Sequence, residues 1–542
     1  MTGSTVDKET KARQDASGMS AQAKPVSRRH LIIGMDAMEW HLVTKWAGEG
    51  KLPTLRRLIE GGASGELAST SAELPDTVWS SLYTGTNPGK LEKFFYVQYD
   101  AATMGLRHVP DDAIKRPPFW DYLSEAGVRV GVVDVPKFAL SRKINGFQLT
   151  NWGAHATKTM RMSYPVGLLQ QIDAAFGPHP VGDCDKVDST PKALRALTHR
   201  LIDGIRVHGN VFRRLMKEQS WDVFFAAFSE SHCVGHHFYH GADSTHPRYK
   251  EAVKHGIADS IERVYRAIDE EIGKILERID ANTQVMIVSA HGMGPLRHAS
   301  WHLPQILDRL GYGDKSLSKS NLNETQDAEI NPWRLLKMTL PSGLQYWIKD
   351  RLPQAAQDWL LFRWYSGGKN WRNCRAFSIP NNDSVGAIRL SVKGRDRFGQ
   401  IRSGAEYDSI CEDLSNALYE LRDPVTGRGV VRQVTRLSSH FHGPFLNQLP
   451  DLTVLWDQSF PWEAVQSARI GTLHLRTQDS RTGMHTTHGF VVVAGPDVPA
   501  GEQLVGKSTY DIAPTILDWC GVPIPEDFDG QPLRFHDSAI RT

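Results

Sequence analysis

Cysteine is scarce in this chain, and what there is forms no pattern. The five residues Cys184, Cys233, Cys374, Cys411 and Cys520 are an odd number without a C-x-x-C pair. That argues against a disulfide scaffold or a zinc ribbon, and for reduced thiols in a cytoplasmic setting. Long apolar runs are missing too. None reaches the roughly 18 residues of a membrane span, and the opening stretch MTGSTVDKETKARQDASGMSAQAKPVSRR lacks an apolar h-region. Nor is one sign of charge in excess: 63 Lys and Arg face 61 Asp and Glu, so no global field points to a nucleic-acid polymer or an anionic membrane.

What remains is ordinary soluble composition, 40% hydrophobic and 23% charged. The order expected from it is a disordered lead-in (residues 1–28), a first core part (29–302), an inserted helical and α+β lid (303–446) and a second core part (447–542). The segments HLIIGMD, RVGVVDV, WDVFFAAFSE, TQVMIVSAHG, LPDLTVLW and GFVVVAGP are short continuous apolar runs, the form of strands buried on both faces. Helical patterns lie between them. Across residues 246–279, Ile257, Ile261, Val264, Ile268, Ile272, Ile275 and Ile279 predict one apolar stripe on a long helix. STYDIAPTILDWCG predicts a closing helix with Ser508 or Thr509 as N-cap and Gly521 as its stop. Strands alternating with helices predict an α/β fold with a mainly parallel central sheet.

Ligand-capable side chains adjoin these strands. Asp36 follows HLIIGM, His232 and His236 follow DVFFAAFSE, and His291 follows QVMIVSA. Ligands gather outside the carboxyl ends of strands in open α/β sheets, so the three segments are expected to share one crevice. His485 would reach it from the loop GMHTTHG. Each residue alone is more often a cap or a solvated side chain. His232 and His236, four apart, can share a helix face as metal ligands, with His237 and His240 as neighbours and Cys233 read as a small buried apolar residue. In ELPDTVWSSLYTGTNPGK, Thr77 opens a short helix ending at Thr84 and Gly85, where backbone N–H groups favour an alkoxide or a phosphoryl oxygen. The competing reading is a plain N-cap.

Together these segments, with STYDIAPTILDWCGVPIPEDFDGQPL similar to the family's closing helix and its D-G-x-P-L ending, resemble the alkaline phosphatase superfamily and, within it, the type I phosphodiesterase/nucleotide pyrophosphatase family. HLIIGMD is similar to the family's opening, LPDTVWSSLYTGTNPGK to its nucleophile segment, VSAHGMGP to its S-D-H-G-M motif and GMHTTHG to its G-x-H-x-x-x-G segment. The resemblance implies an alkaline-phosphatase-like three-layer sandwich and metal ligation by Asp36, Thr77, His232, His236, His291 and His485, with Thr77 as nucleophile through a phosphothreonine and Ser80 and Ser81 as fallbacks. Two departures stand out: His232 occupies an aspartate position of D-x-x-G-H, and Ala290 occupies the aspartate position before His291. Counted back from Thr84, moreover, the nucleophile position falls on Pro75, so Thr77 fits only with a shift of two residues. The resemblance implies one or two divalent ions, Zn2+ first, with Mn2+ or Mg2+ at the second position, and a small-molecule phosphate ester as substrate, a phosphodiester above all. A non-catalytic ligand-binding relative and a phosphotransferase are the alternatives; no C-x-P-x-R or S-x-P-x-R segment supports a sulfatase. Trp371, His440 and His442 are candidate lid contacts, and the aromatic stretch beginning at Trp333 reads as lid core, with a homodimer or membrane-surface contact as the alternatives.

Overall fold

The computed structural model describes residues 28–141, 143–153, 155, 160–296, 299–313, 351–366, 369–382, 384–474 and 481–536. The polar linker expected at 315–330 and most of the aromatic stretch from Trp333 lie outside the described residues.

One large mixed sheet organises the chain. Its strands are β1 (His30–Met35), β2 (Ala63–Ala68), β3 (Val130–Val133), β4 (Gly146–Thr150), β5 (Met162–Tyr164), β6 (Val223–Phe228), β7 (Gln284–Ser289), β14 (His488–Ala494), β15 (Glu502–Gln503) and β16 (Lys507–Ser508). The spatial order is β15-β2-β14-β7-β1-β6-β3-β4-β5, with β16 also on β2. The central strands β7, β1, β6, β3 and β4 run parallel, while β14 is antiparallel to both β2 and β7.

Successive side chains on these strands point to opposite faces, and both faces are covered. Leu31, Ile33, Phe224, Ala226 and Phe228 pack on one side with α3 (Pro191–Glu218), α4 (Glu230–Ala242) and α5 (Ser260–Leu276). Ile32, Val223 and Phe225 pack on the other with α1 (Val78–Thr84), α2 (Phe119–Glu125) and α7 (Ile512–Trp519). The α/β sandwich is thus built by the apolar runs themselves, which need a helix layer on each side.

Two local expectations change. The isoleucine stripe is not one helix: Tyr249–Lys254 and α5 are separate, with Gly256 at φ 64 between them. A left-handed residue ends the first helix, and glycine takes it without steric cost. The strand in LPDLTVLW does not rejoin the main sheet. It is β12 (Leu452–Trp456), lying between β10 (Val385–Leu390) and β11 (Val431–Arg436) in an antiparallel four-stranded sheet completed by β9 (Ala376–Ile379). Leu452, Val454 and Trp456 pack with Leu414 and Leu418 of α6 (Ala405–Tyr419). The second unit therefore runs past residue 446, and the main sheet resumes only at β14. An apolar run says that a strand is buried, not in which sheet. The closing helix is as read: Ser508 and Asp511 form a capping box, and Gly521 follows at φ 65.

Candidate active site

The carboxyl ends of three adjacent strands, β1, β6 and β7, deliver Asp36, the start of α4 and His291 to one crevice. In SESHCVGHHFYH, Glu230 to His240 lie within α4 and Ser229 is its N-cap residue, so His232 and His236 stand one turn apart on the same face. His485 lies on β13 (Gly483–His485), which pairs antiparallel with β8 (Met293–Pro295), Met293 opposite His485. This short ladder fixes His485 against the segment that follows His291. It also requires glycine at 483, where a Cβ would stand 2.2 Å from the carbonyl oxygen of Gly235 on α4.

Three imidazoles converge there. His232 Nε2 is 3.0 Å from His485 Nε2 and 3.1 Å from His236 Nε2, and His291 stacks beside His485 with centroids 4.1 Å apart. Burial pushes His232, His236 and His485 well below the ordinary histidine range, and neighbouring positive charge, His155 for His232, Arg481 for His236 and His291 for His485, adds to it. His291 is lowered by burial too, against the opposing pull of the Asp36 carboxylate. Neutral imidazoles with facing lone pairs are what a divalent ion needs. His291 Nδ1 and His232 Nδ1 are buried without a hydrogen-bond partner.

Further hydrogen bonds orient the set. His237 Nε2 donates to the carbonyl of Cys184 at 3.1 Å, and His240 Nδ1 meets Thr482 Oγ1 at 2.9 Å; these two histidines anchor flanking loops. Trp79 Nε1 donates to Asp36 Oδ1 at 2.7 Å, which holds one carboxylate oxygen in place. Ser231 and Ser289 hydroxyls bond the carbonyls of Asp36 and Met35. The residues fit a divalent ion at His232, His236 and His485. Asp36 and His291 make a poorer second set, because Ala290, fully buried, offers no carboxylate.

Thr77 is placed differently. It ends a 3-10 turn before α1, fully buried, and its hydroxyl donates to the Leu74 carbonyl at 2.7 Å beside Thr70 Oγ1 at 2.9 Å. Among the described contacts its hydroxyl has none with Asp36 or the four imidazoles, and although Thr77 is the N-cap residue of α1 its side chain makes no capping hydrogen bond. The neighbour Asp76 faces the crevice instead, paired with Lys137 Nζ at 2.7 Å. Burial opposes the Lys137 charge, but Asp76, Asp111 and Asp36 outweigh it and hold the ammonium above the ordinary lysine range. Of the fallbacks, Ser80 Oγ donates to the Thr77 carbonyl at 2.9 Å, and Ser81 Oγ is buried without a hydrogen-bond partner among the described residues. Sequence reading passed over Lys137, although it follows β3 at the same sheet edge and the carboxyl-end rule applies to it as well.

The lid candidates resolve into packing and surface contacts. Trp371 is buried against Phe377, Phe362 and Tyr99. His440 is exposed, 4.0 Å from Glu73, and His442 is 3.2 Å from Asp529.

Behind the crevice lies a second polar cluster. Glu230 Oε1 meets His179 Nε2 at 2.9 Å and His208 Nδ1 at 3.0 Å, and His208 Nε2 meets Asp134 Oδ2 at 2.8 Å. Burial opposes the charge on both His208 and Glu230, but their mutual attraction and hydrogen bonds win, raising His208 to about 10 and holding Glu230 below the usual carboxylate range.

The type I phosphodiesterase / nucleotide pyrophosphatase family matches residues 30–490. Among solved structures, murine ectonucleotide pyrophosphatase / phosphodiesterase 5, in an inactive form in complex with AMP, is 12% identical with a TM-score of 0.47, covering 95% of this chain and 98% of that one. The human protein of that name is 11% identical, TM-score 0.47, over 94% and 98%. Phosphonoacetate hydrolase from Sinorhizobium meliloti 1021, in complex with phosphonoacetate, is 13% identical, TM-score 0.48, over 92% and 97%. No curated protein matches.

Proposed function

The chain belongs to the type I phosphodiesterase / nucleotide pyrophosphatase family, and from that premise we propose a metal-dependent hydrolase of small phosphate esters, phosphodiesters in particular. The observation that carries it is the meeting of the His232, His236 and His485 Nε2 atoms at 3.0 and 3.1 Å. Bound divalent ions, zinc at the three imidazoles, would supply Lewis-acid charge to the ester oxygens. Asp36 and His291 would hold a second, weaker ion. Free thiols fit a cytoplasmic setting.

The chain's own part is to present a nucleophile and neutralise the phosphate. In this reading the Thr77 hydroxyl leaves the Leu74 carbonyl and attacks phosphorus, forming the Oγ1–P bond as the ester P–O bond breaks. Its proton ends on the departing alcohol. Water then cleaves the phosphothreonine. The Lys137 ammonium, at the edge of the same crevice, balances negative charge on the non-bridging oxygens. A second reading is direct attack by water, favoured by the buried, engaged state of the Thr77 hydroxyl.

The test is hydrolysis of bis(p-nitrophenyl) phosphate and p-nitrophenyl phosphate by chelator-treated protein, before and after adding Zn2+, Mn2+ or Mg2+. Metal-restored cleavage, faster on the diester, is the expected result. Tight zinc retention with no cleavage of either ester would make the chain a non-catalytic relative.

A further inference from the structure

Cys374, Cys411 and Cys520 belong to three different apolar clusters, but Cys184 and Cys233 share a fourth. There their sulfurs, 49 residues apart in sequence, stand 2.7 Å from each other. That is well short of the roughly 3.5–4.0 Å at which even carbon atoms rest against one another, and about 0.7 Å from the ~2.0 Å of a disulfide. Core filling alone does not account for it. Cys184 opens the 3-10 turn Cys184–Lys186, with its own side chain buried while Asp185 and Lys186 beside it are exposed. Cys233 lies on the first turn of α4, directly after His232. One helical turn further on, His237 Nε2 donates to the Cys184 carbonyl at 3.1 Å, so the same face of α4 already holds this surface turn by its backbone.

We propose that Cys184 and Cys233 are a modification site, an oxidisable pair that hydrogen peroxide closes into a disulfide. Both thiols are free and buried, which favours a small uncharged oxidant over a bulky disulfide reagent. His155 Nδ1, 3.4 Å from Cys184 Sγ, gives that sulfur a polar neighbour and marks it as the one to react first. The Cys184 sulfur attacks one peroxide oxygen: an S–O bond forms, the O–O bond breaks and water leaves. The Cys233 sulfur then attacks the sulfenic sulfur, the S–S bond forms and the oxygen departs as a second water. Two thiols are oxidised, one peroxide is reduced, and both thiol protons end in water. The new bond ties the ligand-bearing turn of α4 to the surface turn and closes a loop that contains all of α3 and β6. Taking that loop's freedom from the unfolded chain stabilises the fold. The site stands apart from the question of which ester is hydrolysed, or whether any is.

The test is intact-mass analysis and thiol counting of the full chain, purified under a reductant and then exposed to a modest excess of hydrogen peroxide. The expected result is a mass lower by two hydrogens, two fewer titratable thiols than in the reduced protein, and a proteolytic fragment joining Cys184 to Cys233, all reversed by dithiothreitol. The oxidised protein should also unfold at a higher temperature than the reduced one, a reversible shift that Cys184→Ser and Cys233→Ser each lack. A wild type that keeps its thiols, gains oxygen instead of losing hydrogen, or links a different pair overturns the proposal, and that measurement needs no variant to fold.

Discussion

His236 donates from Nδ1 to the carbonyl oxygen of Gly483 across 2.8 Å. A carbonyl only accepts, so this bond fixes the tautomer and leaves the Nε2 lone pair facing His232. One contact therefore both orients a ligand and ties α4 to the strand that carries His485. His236→Ala should lower metal affinity by more than ~100-fold, beyond the cost of an outer-sphere partner, and reduce hydrolysis in parallel. Competition with a chelating dye checks the first effect. Unchanged affinity in both His236→Ala and His485→Ala would remove the imidazoles from the metal set.

The nucleophile is decided by removing a hydroxyl without changing shape. Thr77→Val is expected to abolish a phosphoprotein intermediate trapped by rapid acid quench and to cut turnover by ~10³-fold or more, as loss of a covalent nucleophile does. Thr70→Val deletes only the neighbouring hydroxyl and should keep the intermediate. If Thr77→Val instead turns over at near wild-type rate, water is the direct nucleophile.

Gly292 has no room for a side chain. A Cβ there would stand 2.2 Å from Glu39 Oε2 and 2.4 Å from Thr486 Oγ1, two groups hydrogen-bonded at 3.0 Å. Gly292→Ala is expected to cost about 1–3 kcal/mol through forced displacement and to loosen the segment joining His291 to β8. Urea unfolding of the variant beside Gly311→Ala, whose added Cβ meets nothing but whose φ is left-handed, separates crowding from backbone strain.

The buried cluster makes stability depend on pH in a definite direction. His208 is raised from 6.5 to about 10, so its contribution is whole below pH 6.5 and fades as pH rises through about 10. Glu230 is depressed from 4.5, so its contribution is whole above pH 4.5 and is lost as pH falls through its lowered value. Both are at full strength only from pH 4.5 to 6.5. Glu230→Gln leaves the buried His208 cation with Asp134 as its charge partner at 2.8 Å and should cost about 1–3 kcal/mol at neutral pH, less than stranding it outright. Thermal unfolding across pH should show the alkaline loss in the wild type and a smaller one in the variant.

Much of this site is visible in the one-dimensional pattern because strand order places it. Asp36, His232 and His291 each follow a continuous apolar run, and parallel neighbours deliver their carboxyl ends to one edge. Helical spacing likewise put His232 and His236 together. What escaped depends on contacts between distant segments. The Cys184–Cys233 approach has no local signature, and Cys233 reads as an apolar filler until its partner is in view. Lys137 sits at the right sheet edge, but a lone lysine after a proline carries no motif. The sheet membership of LPDLTVLW was undecidable because strand burial is the same in either sheet. The direction of the Thr77 hydroxyl depends on a turn geometry that spacing alone does not set.

The ladder joining β8 to β13 has a bearing on biosynthesis. His232 and His485, whose nitrogens touch, are 253 residues apart in the chain, and the whole four-stranded unit is made between them. Closure of so long a loop is slow and comes late. A chain emerging from the ribosome thus already carries Asp36, His232, His236 and His291 before His485 is made, and the three-imidazole set can be complete only when synthesis is nearly finished. Ion capture by all three imidazoles therefore requires a chain already made past the whole intervening unit.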